Sequence, residues 1–348
     1  MNQDLFLELV STPGISGREE RIRKVVAAAL EDLVDDIRVD RLGNLIGHRA
    51  GKGPKLMLSA HMDSIGFIVK HVDDGGFLRI SPVGGFDPRT LVMQRVLVQG
   101  KKDYVGVLSP AEKPIHLLDD EERKKVPKID DLFVDLLLPV EEVKANVAVG
   151  DPVSYHREAI VTERAVVAPY LDDRLGVYVL LEALRAARKT SFDISAVVSV
   201  QEEVGVRGAI TGAFGTEPDL GIALDVSIAI DIPGADRSQK VGSLGEGASI
   251  SVMDSMTISD PRMVRRFEEL ATAHGIKHDR DILLGGGTDA RGIQLSRAGV
   301  PVVTLGPRVR YVHTVNEAAL IEDIEASVDL LAAFLETGHD IDLEWKDA

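Results

Sequence analysis

Residues 194–208 read ISAVVSVQEEVGVRG: an apolar, β-branched run of strand length ends in two adjacent carboxylates, Glu202 and Glu203, followed by glycine-punctuated sequence. A run this uniformly apolar reads as a strand covered on both faces, the kind found in α/β sheets. Such sheets build their sites beyond the carboxyl ends of the strands. Side chains of neighbouring residues diverge at a strand end, so two adjacent glutamates can do different work. One could bind a cation while the other faces a water. An isolated acidic pair reads equally well as a solvated turn, so the rest of the chain has to decide.

On either side the texture is that of an α/β domain. Downstream come a strand over LGIALDV (220–226), a helix over PRMVRRFEELATAHG (261–275), a strand over PVVTLG (301–306) and a helix from about Ile321 to Leu335. Upstream lies a helix over LGVYVLLEALRAA (175–187). Near the N-terminus, Ser16 stands three residues before Glu19 as a capping box for a helix carrying Ile22, Val25, Val26, Ala29, Leu30 and Leu33. The strand-like run KLMLSAHMDS (55–64) follows. Between them, about 68–162, the chain breaks into short Val-, Ile- and Leu-rich segments separated by Asp73-Asp74-Gly75-Gly76, Gly84-Gly85 and Gly150-Asp151-Pro152, as in a small β-rich module. Within it, LLDDEERKKVPK (117–128) reads as an exposed loop. The expected organisation is a discontinuous α/β domain, 1–67 and 163–348, interrupted by a β-rich insert, 68–162.

Composition narrows the function. The 348 residues carry 40 basic and 56 acidic side chains, a formal charge of -16, which repels nucleic acid and anionic lipid. No nucleic-acid or membrane partner is expected. With no cysteine, disulfides, thiolate nucleophiles and cysteine-held metals are excluded. The N-terminal MNQDLFLELV carries acids where a secretory signal would be basic, which points to the cytoplasm.

The candidate ligands are imidazoles and carboxylates at strand ends. His61 and Asp63 in AHMDS lie two apart, so one could bind metal while the other holds the ring. Asp172 and Asp173 in YLDDRLG precede a helix, Asp225 closes LGIALD, and His313 in RYVHT follows the strand PVVTLG. Each alone has an ordinary structural explanation: capping, a turn or a loop histidine. Together His61, Asp172, Glu203, Asp225 and His313 supply two imidazoles and three carboxylates, enough for two divalent metals if one aspartate bridges. Zinc, cobalt and manganese all suit such donors. His274 and His278 lack the glutamate of a metalloprotease helix, and Gly285-Gly286-Gly287 lacks the Lys-Ser/Thr of a phosphate loop.

In their order along the chain, STPGISGREE, SAHMDSIGFIVKHVDDGGFLRISPVGGFDPRTL, GDPVSY, LDDRLG, QEEVGVRGA, ALDV, GGGTDA and RYVHTVNE resemble the tetrahedral, dodecameric dinuclear metallo-aminopeptidases, a family that includes glutamyl and deblocking aminopeptidases and members historically named endoglucanase. The resemblance implies a zinc-exopeptidase-like, mixed-sheet α/β catalytic domain with an inserted PDZ-like domain that mediates assembly. It further implies that Asp172 bridges two metals, that His61 and Asp225 complete one and Glu203 and His313 the other, that Glu202 is the general base, and that Asp63 orients His61. The expected partners are peptide substrates and other copies of the chain, as dimers building a dodecamer. Arg291, where a small residue is more usual after GGGTDA, is expected to alter the pocket beside the site.

Two other readings stand beside this one. A glycoside hydrolase would use paired acids but has no need of the two histidines. A non-catalytic shell or binding protein could keep the fold without the reaction, although every expected ligand is present.

Overall fold

A computed structural model describes residues 1–236 and 241–344. Its largest sheet has eight strands in the order Asp36–Val39, Leu45–Arg49, Asp193–Ser199, Lys55–His61, Leu220–Leu224, Val302–Gly306, Ala248–Met253 and His278–Ile282. The central four, from Asp193–Ser199 to Val302–Gly306, are mutually parallel, and antiparallel pairings flank them on both sides. The mixed α/β sheet expected from the sequence is therefore present. The last two strands of the order, Ala248–Met253 and His278–Ile282, are not evident as apolar runs, because ASISVM and HDRDI mix polar with apolar residues.

Alternation along Lys55–His61 sorts the two faces. Leu56, Leu58 and Ala60 join the larger core with Leu175, Val179, Leu330 and Phe334, whereas Met57 packs with Ala213, Ala290 and Ile293 on the opposite side. Leu171–Ala186 and Ile321–Thr337 thus cover one face, and Arg207–Thr216 with Asp289–Gln294 covers the other. Phe334 stacks between Phe192 and Phe267, with ring centroids 5.4 and 4.5 Å away.

A second unit is a closed barrel of Gly66–Val72, Leu78–Val83, Leu132–Asp135, Asp103–Pro110, Gln94–Gln99 and Pro152–Tyr155 around its own core, which includes Phe67, Val69, Ile80, Val98 and Val134. All six strands come from the stretch between the third and fourth segments of the large sheet to be laid down along the chain. The charged 117–128 segment includes a short 3-10 turn at Glu122–Lys124, and Leu117 is exposed.

The capping expectation at Ser16 fails. The helix Glu20–Leu30 has Glu19 at its N-cap with no side-chain cap, and the Glu19 carboxylate instead accepts from the Gly17 amide. Ser16 Oγ donates to Asp63, 2.6 Å away. The buried carboxylate outcompetes the helix end because it accepts a charge-assisted bond.

Behind the strand Asp193–Ser199 the chain turns tightly. Asn44 accepts from the Val200 amide and donates to the Gly208 carbonyl. A Cβ at Gly208 would stand 2.4 Å from both Asn44 Oδ1 and the Val200 carbonyl. Gly208→Ala is therefore expected to cost on the order of 1–3 kcal/mol through backbone displacement. Denaturant unfolding measures it; an unchanged midpoint would show that this close approach does not constrain the turn.

Candidate metal centre

The carboxyl ends of three parallel strands converge. His61 is the last residue of its strand, Asp225 follows Leu224, and Glu202 and Glu203 lie three and four residues beyond Ser199. The strand Lys55–His61 lies between Asp193–Ser199 and Leu220–Leu224, so the chain crosses over it between those two and leaves a crevice at its end. Asp172 and Asp173 enter from the start of the helix Leu171–Ala186, where their backbone is non-helical and the peptide between them is cis. His313, in a left-handed conformation at φ 64°, arrives from the loop after Arg308–Val309.

Two groups of potential ligands result: His61, Asp173 and Asp225, and Asp172, Glu203 and His313. Within each, one donor atom from every residue lies within 4.8 Å of the others. Asp172 joins the groups, with Oδ1 3.1 Å from His61 Nε2 and Oδ2 3.4 Å from His313 Nε2. Asp173, assigned no role from its spacing, has its carboxylate engaged by the His61 amide at 3.2 Å and the Gly176 amide at 2.9 Å.

Both imidazoles are oriented by backbone. His61 Nδ1 lies 3.1 Å from the Asp63 carbonyl, and His313 Nδ1 lies 3.0 Å from the Gly85 carbonyl. A carbonyl only accepts, so each Nδ1 carries the proton and each Nε2 faces the carboxylates. The Asp63 carboxylate is 3.7 Å from His61 Nδ1 and instead accepts from Ser16 Oγ and the amides of Glu202 and Glu203. Glu202 points one oxygen to within 4.0 Å of His61 Nε2, and Glu203 places one 3.3 Å from His313 Nε2.

Sequence reasoning missed the supports. Glu317 is buried and accepts from the amides of His313 at 2.7 Å and Asp172 at 3.0 Å. Asp289 is buried and accepts from Ser59 and Ser199. Both lie in stretches quoted for the resemblance, RYVHTVNE and GGGTDA, but their spacing suggests no role. Arg291 lies elsewhere than expected. It lines an outer cleft with Ile210, Phe214 and Leu295, in which no proposed ligand takes part.

The charges are unbalanced. Burial opposes a charge on His313, but Asp172 and Glu203 outweigh it and raise the imidazole to about 11. Burial likewise opposes a charge on His61, and the hydrogen bond to Asp172, with Asp173, Glu202 and Asp63 nearby, raises it well above its ordinary value. Asp172 is the one carboxylate of the groups driven down: burial would raise it, but bonds from His313 and His61 prevail. Asp225 is raised by burial and then by Asp173 and Asp172, while burial raises Glu202 against the opposing pull of His61. Glu203 Oε1 is buried with no hydrogen-bond partner among the described residues. Carboxylates packed this closely repel unless cations share them, and the orphaned Glu203 oxygen marks where one fits. The donors are nitrogen and oxygen only, which suits zinc, cobalt or manganese.

A family model described as M42 glutamyl aminopeptidase matches residues 43–330. A lysyl aminopeptidase of Pyrococcus furiosus is 34% identical over 346 residues, covering 96% of both chains. The structure of an aminopeptidase from the archaeon Desulfurococcus kamchatkensis superposes with a TM-score of 0.91 at 36% identity, over 96% of this chain and 94% of that one. That of the TET1 peptidase of Pyrococcus horikoshii, described as able to assemble into a tetrahedron or a large octahedral shell, gives a TM-score of 0.86 at 30% identity, over 96% and 99%. With the match spanning most of the chain and the ligand groups at its strand ends, this protein belongs to the M42 glutamyl aminopeptidase family.

Proposed function

We propose that this chain, a metal-dependent aminopeptidase, removes N-terminal residues from short peptides in the cytoplasm with two divalent ions, zinc first among them. The observation that carries the reading is the Asp172 carboxylate, which offers one oxygen to each histidine and so joins the two ligand groups. Asp172 would be shared between the two ions, with His61 and Asp225 holding one and Glu203 and His313 holding the other. Two such ions supply polarisation of the scissile carbonyl and acidification of the attacking water.

The remaining work belongs to the chain. Glu202 takes the proton of the attacking water and returns it to the leaving amine. Its position is set by its amide, which donates to Asp63 at 3.0 Å, so the base is held by the same carboxylate that steadies the neighbouring ligand Glu203. Glu317 fixes the backbone of Asp172 and His313 together. Glycoside hydrolysis leaves both imidazoles without a role.

The β-barrel, which starts at Gly66, just ahead of the insert 68–162 that interrupts a catalytic domain formed by 1–67 and 163–348, is the PDZ-like assembly unit of a dodecamer. Support comes from the barrel's separate core and from the shell described for the Pyrococcus horikoshii relative.

Glu202→Gln should keep metal content and folding while turnover falls by roughly 10² or more. Near-normal activity in the metal-loaded variant would reject Glu202 as the base. Asp172→Ala should lose more metal on dialysis than Asp225→Ala or His313→Ala, because it strips both positions; elemental analysis finding two ions per chain in the Asp172 variant would refute bridging. Native light scattering tests the assembly, and a mass of one or two chains across concentration and salt would sink the cage.

A further inference from the structure

On the sheet face away from the larger core, a cleft of about 410 Å3 opens where the helices Arg207–Thr216 and Asp289–Gln294 lie side by side. A Cβ on Gly292 would stand 2.9 Å from both Ala209 Cβ and the Ile210 amide nitrogen, so the helices meet there and Gly292 forms part of the lining. The volume falls within the roughly 300–1,000 Å3 of small-molecule sites. Ile210, Phe214 and Leu295 give the cleft apolar walls, and all three are exposed. Large apolar side chains grouped in solvent mark a surface that gains by being covered.

Two polar groups of the same lining lack partners. Ser296 is 7% exposed, and its Oγ is buried with no hydrogen-bond partner among the described residues. Arg291, half-buried, makes no side-chain hydrogen bond or ion pair among those residues. Arg297 differs: it donates to the Phe214 carbonyl and to Glu217, each at 2.7 Å, and its guanidinium carbon lies 4.3 Å over the Phe214 ring. Glu217 thus balances Arg297, which holds the Phe214 wall in place, and Arg291 is left as an uncompensated cation on a chain of net charge -16. No lining residue is acidic. A guanidinium only donates and matches a carboxylate with paired bonds, and a serine hydroxyl can add another donor.

We propose that this cleft binds a small monocarboxylic acid with an apolar tail, its carboxylate held by Arg291 and Ser296 and its tail lying against Ile210, Phe214 and Leu295. Arg291, where a small residue is more usual, supplies the anchoring charge. None of these residues takes part in the proposed peptidase chemistry, so the site stands apart from it.

Isothermal titration calorimetry of the metal-loaded protein with octanoate, butanoate, 1-octanol and octylamine tests the assignment. Octanoate should bind roughly tenfold or more tighter than butanoate, which has a shorter tail, and than 1-octanol or octylamine, which lack the negative charge. Arg291→Met should weaken octanoate roughly tenfold or more, Arg291→Lys less, and Ser296→Ala roughly threefold, with unfolding midpoints and metal content unchanged. Leu295→Asp alters a side chain already 69% exposed, so folding should survive, while its carboxylate should repel octanoate and abolish binding. Equal binding of the four compounds, or octanoate binding unchanged in Arg291→Met and Leu295→Asp, would overturn the site. Binding that vanishes when the metals are chelated from still-folded protein would also overturn it, by placing the carboxylate on the ions. Absence of octanoate binding to the wild type overturns it outright, and a lowered native mass of Leu295→Asp would then assign the face to contact between copies of the chain.

Discussion

The site depends on one buried carboxylate that does not belong to either ligand group. Asp63 accepts the hydroxyl of Ser16 and the amides of Glu202 and Glu203, so three segments distant in sequence meet at its two oxygens. Its own carbonyl also sets the tautomer of His61. Without that charge, the Glu202 and Glu203 amides would be left without acceptors in a region where water enters poorly, and an unpaired buried donor costs about 1–3 kcal/mol. The loop that bears both glutamates includes Gln201 and Val206 in left-handed conformations, unfavourable for a β-branched residue such as Val206, and Asp63 is among the interactions that hold it there.

Much of this was legible in the sequence because the relevant signals were periodic or terminal. The four parallel strands advertise themselves as apolar runs, and His61, Glu203 and Asp225 stand at or just beyond the ends of three of them. What stayed hidden was tertiary. Ser249 and Ser251 of ASISVM and Asp281 of HDRDI line the polar cleft beside Asp225, so neither stretch has the uniformly apolar texture of the central strands. Ser16 matched a capping pattern but served Asp63, since a local motif cannot announce a competitor 47 residues away. Glu317, four residues after His313, could not be told from a solvated acid until its burial against the amides of His313 and Asp172 was seen. Arg291 drew attention as an unusual residue, but the helix it sits on points it at the outer cleft instead.

The two groups of candidate ligands also differ in how much of the chain they draw on. His61, Asp173 and Asp225 are buried and anchored to parallel strands or the adjoining helix. Asp172, Glu203 and His313 are more open, and His313 comes from a loop. Rigid strand ends define the first group, whereas the second depends on Glu317 to tie a helix start to that loop.

The bond from His313 to Gly85 reaches across the molecule, because Gly85 follows the barrel strand Leu78–Val83. The ring that faces Asp172 is therefore aimed by the barrel unit and not by the sheet alone. Thermodynamic linkage makes such a contact reciprocal: whatever steadies the barrel sharpens the imidazole's aim, and whatever grips the imidazole restrains the barrel. Neighbouring copies pressing on the barrel would thus be felt one hydrogen bond away from the reacting centre.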